Sequence, residues 1–187
     1  MGLKEKTCKS CRQKFAPSRP MQSACSPACA IAIAERKREK QAQKMAAEKR
    51  RETRQQLESM KGIPELIREA DKAFCAFVRA RDAGKPCICC GRESSGWSRG
   101  GDWDAGHYRS RGAASHLRYH EDNCNSQLKQ CNRRAFDVAS YRANLIGRIG
   151  LARVETLEND NGTHKWTRDE LKAIKAEYIR KRKEIEA

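Results

Sequence analysis

The sequence has few aromatic residues and lacks a long apolar run. Phe, Trp and Tyr make up 6% of its 187 residues, and no stretch of about 18 apolar residues occurs, so we expect no membrane-spanning helix. No predicted helix combines a basic face with a bulky aromatic one, which disfavours binding to an anionic membrane surface. The N-terminus has no apolar signal region, and we therefore expect a cytoplasmic protein.

Acidic residues are also in short supply. The chain has 24 Asp and Glu against 40 Lys and Arg, which gives a formal net charge of +16. Each phosphate neutralised by a basic side chain releases counterions, so this balance favours a nucleic-acid partner. Because 34% of the residues are charged, we expect one modest core with extended charged segments rather than one large globule.

Ten cysteines stand out against this background. In a reducing cytosol, paired cysteine spacings more often hold metal than form disulfides. Residues 1–30 are predicted to form a zinc-binding module whose four thiolates close a tetrahedral site: Cys8, Cys11, Cys25 and Cys29. A segment this short cannot build its own core, so we assign this zinc a structural role.

Residues 31–60 are predicted to form a basic, solvent-exposed helix. The segment is rich in Ala, Lys, Arg, Glu and Gln and has no Gly or Pro, a composition that favours helix and allows pairs of opposite charges along it. Its basic side chains either lie along a phosphate backbone or keep a spacer soluble. Apolar residues are too few for a sustained coiled-coil heptad.

Residues 61–187 are predicted to form one domain with further helices. Gly62 interrupts the first helix, and Pro64 suits the first turn of a second helix whose apolar residues follow helical spacing up to Val78. A last helix begins after Thr167, whose hydroxyl and Glu170 form a capping box, and its basic tail is expected to fray. A shorter apolar stripe precedes it: Val138, Tyr141, Leu145 and Ile149. The predicted fold class is mainly α with small zinc-stabilised elements.

Residues 87–134 are rich in Cys, His, Gly and Asn and have too few apolar residues to fold without metal. Cysteines flank a histidine-bearing segment at both ends, in Cys87-x2-Cys90 before it and in Cys124 and Cys131 after it. These four thiolates would hold a second zinc. The alternatives are three thiolates with another ligand, or no zinc. Zinc knuckles around a histidine hairpin are the layout of a ββα-metal, or His-Asn-His (HNH), nuclease.

The residues of this block and of the C-terminal region resemble a known family. The stretches WDAGHYRSRGAASHLRYHEDN, QCN, YRANLIGRIG and HKWTRDELKAIKAEY are similar to the NinG/Rap family of lambdoid phage recombination endonucleases. The resemblance covers nearly the whole chain, including the N-terminal zinc pattern and the basic helix. It implies an HNH-like nuclease core and a structure-specific endonuclease that cuts branched double-stranded DNA, such as Holliday junctions and D-loops, in the bacterial host.

Hydrolysis of a phosphodiester needs an activated water and a metal that stabilises developing charge. We expect His107 to be the general base and Asp104 to help bind a catalytic Mg²⁺ or Mn²⁺. The block also resembles phage endonuclease VII, which implies that Asn132 binds this ion and that Asn123 ties the loop that orients the histidine. In that enzyme an acid directly precedes the histidine, whereas here Gly106 does.

The sequence departs from the family at one cysteine. The family has a second Cys-x2-Cys before the asparagine, but position 128 is Leu128, so that Cys131 alone remains of the pair. We expect Cys124 to replace the missing thiolate, and Cys89 is another spare thiol. If no zinc were bound here, the nuclease core would be loose and its activity weak.

Five arginines close to the predicted site are expected to bind DNA phosphates, because guanidinium groups bind phosphate oxygens without reading bases. They are Arg109, Arg111, Arg118, Arg133 and Arg134; the alternative is that they only keep the surface soluble.

A nuclease making paired cuts would gain from a homodimer, for which the 31–60 helix offers a contact. The alternative functions are a non-catalytic zinc-containing DNA-binding recombination accessory protein and an RNA-binding zinc protein.

Overall fold

The computed structural model describes residues 3–93, 102–133 and 137–187. It is mainly helical, which confirms the mainly α part of the predicted class. The chain divides into two compact units, residues 1–60 and residues 61–187. Within the described ranges, no helix is long and apolar enough to cross a membrane.

The first unit begins with a small hairpin. Strands β1 (Lys6–Thr7) and β2 (Lys14–Phe15) pair antiparallel, and the chain reverses between them through Arg12, whose φ of 64° lies in the left-handed region. The amide of Cys8 donates to the carbonyl of Gln13, 2.9 Å away. This reversal places Cys8 and Cys11 on one turn.

Helix α1 (Pro27–Met60) follows and has no buried residue. Its start is set by Ser26, whose hydroxyl accepts from the Cys29 amide at 3.3 Å, and by Pro27, which suits the first helical position. The helix therefore begins four residues earlier than the 31–60 segment predicted from the sequence, and Cys29 lies in its first turn. With no packed face, α1 depends on the helix propensity of its residues.

The second unit is built around two long helices. Helices α2 (Ile63–Arg81) and α6 (Arg168–Glu186) pack through a core that includes Phe74, Phe77 and Tyr178. The predicted capping box of Thr167 and Glu170 is present. The prediction that the basic tail frays is wrong, because α6 continues to Glu186 with ion pairs one turn apart, such as Arg180 with Glu184 at 2.6 Å.

A two-stranded sheet lies next to α2, and a short helix packs against this sheet. Strands β3 (Trp103–His107) and β4 (Cys124–Leu128) pair antiparallel, with Trp103 opposite Leu128 and His107 opposite Cys124. Helix α3 (Lys129–Arg133) follows β4 directly. The loop between the strands contains a 3₁₀ turn at Ser115–Leu117.

Helices α4 (Val138–Ile149) and α5 (Leu151–Asn159) complete the second unit. The apolar stripe predicted α4, but α5 was not predicted. Gly150 separates them with a φ of 85°, which an L side chain rarely adopts. The two helices bury a second core, made of Ile88, Ala114, Leu117, Tyr141, Leu145, Val154 and Leu157.

The two faces of the β3–β4 sheet have different neighbours. Side chains alternate between faces along a strand, and Ala105 and Cys124 on one face pack into the α2–α6 core. On the other face, the Tyr141 hydroxyl of α4 donates to the carbonyl of Gly106 at 2.9 Å. Asp104 and Gln127 are opposite each other in the register and share this second face.

Candidate metal centres and active site

The four N-terminal cysteines form one cluster. Their Sγ atoms all lie within 4.8 Å of one another, with 3.5 Å between Cys11 and Cys25 and 3.6 Å between Cys25 and Cys29. A tetrahedral zinc site with bonds of about 2.3 Å has sulfur–sulfur distances of about 3.8 Å. The geometry therefore fits zinc, as the spacing predicted.

Electrostatics also favour a cation in this cluster. Backbone amide donors, with that of Cys11 first, lower the pKa of the Cys8 thiol to about 6. The Cys25 thiol hydrogen-bonds its neighbours Cys11 and Cys29, and this raises its pKa to about 12. Four adjacent thiols cannot all ionise without a positive charge between them, and zinc supplies that charge.

A second cluster brings together Cys87, Cys90 and Cys131, whose Sγ atoms also lie within 4.8 Å of one another. The amide of Leu128 donates to Cys87 Sγ at 3.3 Å, and its side chain packs against the cluster. This cluster could bind zinc. Among the described residues, no fourth Cys, His, Asp or Glu belongs to the group.

The predicted fourth ligand, Cys124, lies elsewhere. It is the first residue of β4, and the strand rises about 13 Å over the four steps from it to Leu128, beside the cluster. Its Sγ lies 3.7 Å from Nδ1 of His107, and full burial raises the pKa of this thiol well above its usual range. The strand therefore holds Cys124 away from the cluster. The structure brings together three thiolates where the sequence predicted four.

Asp104 and Asn132 meet on the sheet face that carries α3. The Nδ2 atom of Asn132 donates to Asp104 Oδ2 at 3.2 Å, although the residues are 28 positions apart. Arg133, largely exposed, also donates to Asp104 Oδ2 through Nε at 3.2 Å. A carboxylate and an amide side by side are the oxygen ligands that Mg²⁺ and Mn²⁺ prefer.

His107 ends β3 and is mostly buried. Asp104 lies three positions before it, so the alternation of the strand directs the two side chains to opposite faces. The Nε2 atom of His107 lies 2.8 Å from the carbonyl oxygen of Arg118. Only a protonated Nε2 can donate to a carbonyl, so the neutral ring has its lone pair on Nδ1. Burial is the main cause that lowers the pKa of His107.

Asn123 binds the loop between β3 and β4 at three points. Its Oδ1 accepts from the Arg109 amide at 2.8 Å, and its Nδ2 donates to the carbonyls of Arg109 and Leu117 at 3.0 and 3.1 Å. Leu117 directly precedes Arg118, whose carbonyl accepts from His107. Asn123, which is fully buried, therefore lies where the resemblance implied, tying the loop that orients the histidine.

Two of the predicted phosphate-binding arginines have hydrogen-bond partners within the fold. Arg109 donates to the carbonyls of Leu157 and Glu158 at 2.8 and 3.2 Å, and so caps the C-terminus of α5. Arg118 donates through Nε to Asp71 of α2 at 2.8 Å.

The remaining predicted arginines differ in their surroundings. Arg111 is half exposed and also pairs with Asp71, at 2.9 Å. Arg133 is the more exposed of the two and adjoins Asp104. Arg134 lies outside the described residues. Asp71 was not predicted, because α2 contains several charged residues and only the packing of the loop against this helix distinguishes one of them.

The comparisons with known proteins agree with one another. The family described as bacteriophage lambda NinG protein matches residues 1–187. Protein ninG of Salmonella phage P22 is 41% identical, over 94% of this chain and 90% of that protein, and protein ninG of Escherichia phage lambda is 40% identical, over 94% and 89%. Protein ninG of Escherichia phage 933W is 42% identical over 64% of this chain and 57% of that protein. No solved structure matches the chain.

Proposed function

Because the chain belongs to the NinG family of phage proteins, we propose that it is a metal-dependent endonuclease that cuts branched DNA in the cytoplasm of the bacterial host. The observation that carries this proposal is the meeting of Asp104 and Asn132, 3.2 Å apart. They come from β3 and α3, two elements of a strand–strand–helix order. That order is the one an HNH-like core requires.

The Asp104 and Asn132 side chains would hold one Mg²⁺ or Mn²⁺ through oxygen atoms. When bound, the ion would stabilise charge on the scissile phosphate and on the leaving oxygen. Arg133 beside Asp104 would bind a phosphate oxygen. The two cysteine clusters would keep a structural role, because zinc bound to them would hold together short segments that bury few apolar residues.

His107 would act as the general base through Nδ1. The Arg118 carbonyl fixes the proton on Nε2, and burial lowers the pKa, so the imidazole is neutral and can accept a proton near pH 7. Its neighbour at Nδ1 is the Cys124 thiol, 3.7 Å away, and thiols are weak hydrogen-bond donors. In an in-line displacement, the attacking water and the leaving oxygen lie on opposite sides of phosphorus. The base that activates the water and the ion that stabilises the leaving oxygen therefore need not touch.

The net charge of +16 and the exposed basic helix α1 suit a phosphate backbone as the partner. Paired cuts across a junction would be made most simply by a two-fold homodimer, to which α1 would contribute a contact.

The test is cleavage of a synthetic four-way junction in the presence of Mg²⁺ or Mn²⁺. We expect the wild type to nick the junction only with a divalent ion, and His107→Ala to lose about 10²- to 10⁴-fold in rate, as removal of a general base does. Asp104→Asn and Asn132→Ala should also be inactive. The matched control is His120→Ala, which removes an exposed histidine of the same loop and should cut normally.

Equal cutting by the wild type and His107→Ala, or cutting by neither, would contradict the proposal. The second outcome is the one expected of a non-catalytic DNA-binding accessory protein. That alternative is favoured by one observation, namely that each ring nitrogen of His107 already has a protein neighbour. Junction binding without cleavage would identify it.

A further inference from the structure

Gln127 of β4 carries a buried side-chain amide without a hydrogen-bond partner among the described residues. Its exposed fraction is 0%, and within the part of the chain that the structure describes neither Oε1 nor Nε2 has a hydrogen-bond partner. Buried amides are nearly always hydrogen-bonded, because burial without a partner costs free energy. An unsatisfied one therefore points to a ligand.

Gln127 lies in the proposed ion site. It is the cross-strand partner of Asp104, and opposite residues in an antiparallel pair project from the same face. Its Oε1 approaches Gly106, two residues after Asp104 on that face. A Cβ added at Gly106 would lie 1.9 Å from Gln127 Oε1 and 3.2 Å from Asn132 Oδ1.

We propose that Gln127 is a third ligand, through Oε1, of the divalent cation held by Asp104 and Asn132. Side-chain amide oxygens bind Mg²⁺ and Mn²⁺ as carboxylates do, and this one has no competing hydrogen-bond donor among the described residues. This inference rests on the proposed function, because that proposal assigns Asp104 and Asn132 to the ion site.

The same contact explains why residue 106 is glycine. A Cβ at 1.9 Å from Oε1 would force the end of the Gln127 side chain to shift, and full burial leaves that side chain little room to do so. The Gln127 side chain therefore occupies the space that a side chain at position 106 would need. The site thus takes its third oxygen from β4 and leaves β3 without a side chain at that point.

The first experiment measures Mn²⁺ binding to the zinc-loaded full chain, by the electron paramagnetic resonance signal of free Mn²⁺, with urea unfolding in parallel. Gln127→Met keeps the length of the side chain and removes its polar atoms. We expect Mn²⁺ to bind about tenfold or more weakly to this variant, while its stability is equal or higher, because an unsatisfied amide has been removed. Gln127→Glu should bind Mn²⁺ at least as tightly as the wild type.

If Gln127 had only a structural role, a different pair of results would be expected. Mn²⁺ affinity within about twofold of the wild type in Gln127→Met, together with loss of binding in Asp104→Asn, would overturn the inference and leave the proposed function intact. If Mn²⁺ binding depends on Gln127 but no junction is cut, the ion site stands and the nuclease function fails. No Mn²⁺ binding by the wild type would overturn both.

The second experiment exchanges the two side chains. Gly106→Asp alone should bind Mn²⁺ weakly, because its Cβ displaces the end of the buried Gln127 side chain. The double variant Gly106→Asp/Gln127→Ala should fold and recover Mn²⁺ binding, since the new carboxylate enters the vacated space. The matched control, Gly106→Ala/Gln127→Ala, relieves the collision without supplying an oxygen and should bind weakly. Equal binding by the two double variants would contradict the inference.

Discussion

The His107 imidazole donates from Nε2 to the Arg118 carbonyl and is partly buried, and this has a consequence for stability. Burial lowers the pKa of His107 in the folded protein, whereas in the unfolded chain it is about 6.5. The unfolded state therefore binds more protons below about pH 6.5. The stabilisation is complete above that pH and is lost as the pH falls towards the folded pKa.

We predict that the melting temperature of the wild type falls more steeply between pH 7.5 and 5.5 than that of His107→Gln, which cannot titrate. Thermal unfolding at a series of pH values measures this. His120→Gln, at an exposed position of the loop between β3 and β4, is the matched control. Parallel curves for the wild type and His107→Gln would show that the folded state does not disfavour the proton.

Single residues also show how far a sequence can predict this site. Asn123 and Asn132 are predicted from a family resemblance, which carries spatial information that spacing alone does not. Asp104 is predicted as the nearest carboxylate to His107 in the sequence. Cys124 was misplaced because its sequence distance from Cys131 says nothing about an intervening strand. Gln127 carries no signal until the register puts it opposite Asp104.

At the scale of elements, α6 is where local sequence and structure agree most closely. The Thr167 hydroxyl accepts from the Glu170 amide at 3.3 Å, and the Glu170 carboxylate accepts from the Thr167 amide at 2.8 Å. We predict that Thr167→Ala lowers the free energy of unfolding by about 1 kcal/mol, measured by urea denaturation. Thr163→Ala, an exposed threonine before the helix, should change it little. Equal losses in both variants would argue against capping.

Helix α5 shows why other elements could not be predicted. It is nine residues long and follows Gly150 directly, and a glycine at that point of a sequence usually indicates the end of a helical region. Its C-terminus is capped by Arg109, 48 residues earlier in the chain than Leu157. Contacts of that range set the end of α5 and the partners of Arg109, and no local pattern indicates them.

At the scale of the whole molecule, the two cysteine clusters give a count that can be measured. We predict two zinc ions per chain by elemental analysis of protein freed of loosely bound metal. Cys8→Ser and Cys131→Ser should each reduce the count to one, because each removes a thiolate from one cluster. Cys124→Ser should keep two, since its thiol lies beside His107. A fall to one in Cys124→Ser would contradict the three-thiolate cluster.

The second prediction for the intact chain concerns how its affinity for a junction depends on salt. We predict that junction affinity falls steeply between 50 and 200 mM salt, because phosphate contacts release counterions. Arg50→Gln/Arg54→Gln, one turn apart on α1, should reduce the slope of log affinity against log salt by about 0.9 for each phosphate that the helix no longer neutralises. Glu48→Gln/Glu52→Gln has the same spacing and should leave the slope undiminished. A salt-independent affinity would exclude the phosphate backbone as the main binding surface.

If the exposed helix α1 lies along a DNA duplex, as proposed, its length sets a physical size for the substrate. Its 34 residues, at about 1.5 Å of rise each, extend about 51 Å. Base pairs stacked about 3.4 Å apart cover that distance in about 15 steps. A junction with shorter arms would leave part of the helix beyond the end of the duplex, so arm length becomes a variable that affinity should follow until the arm is as long as the helix.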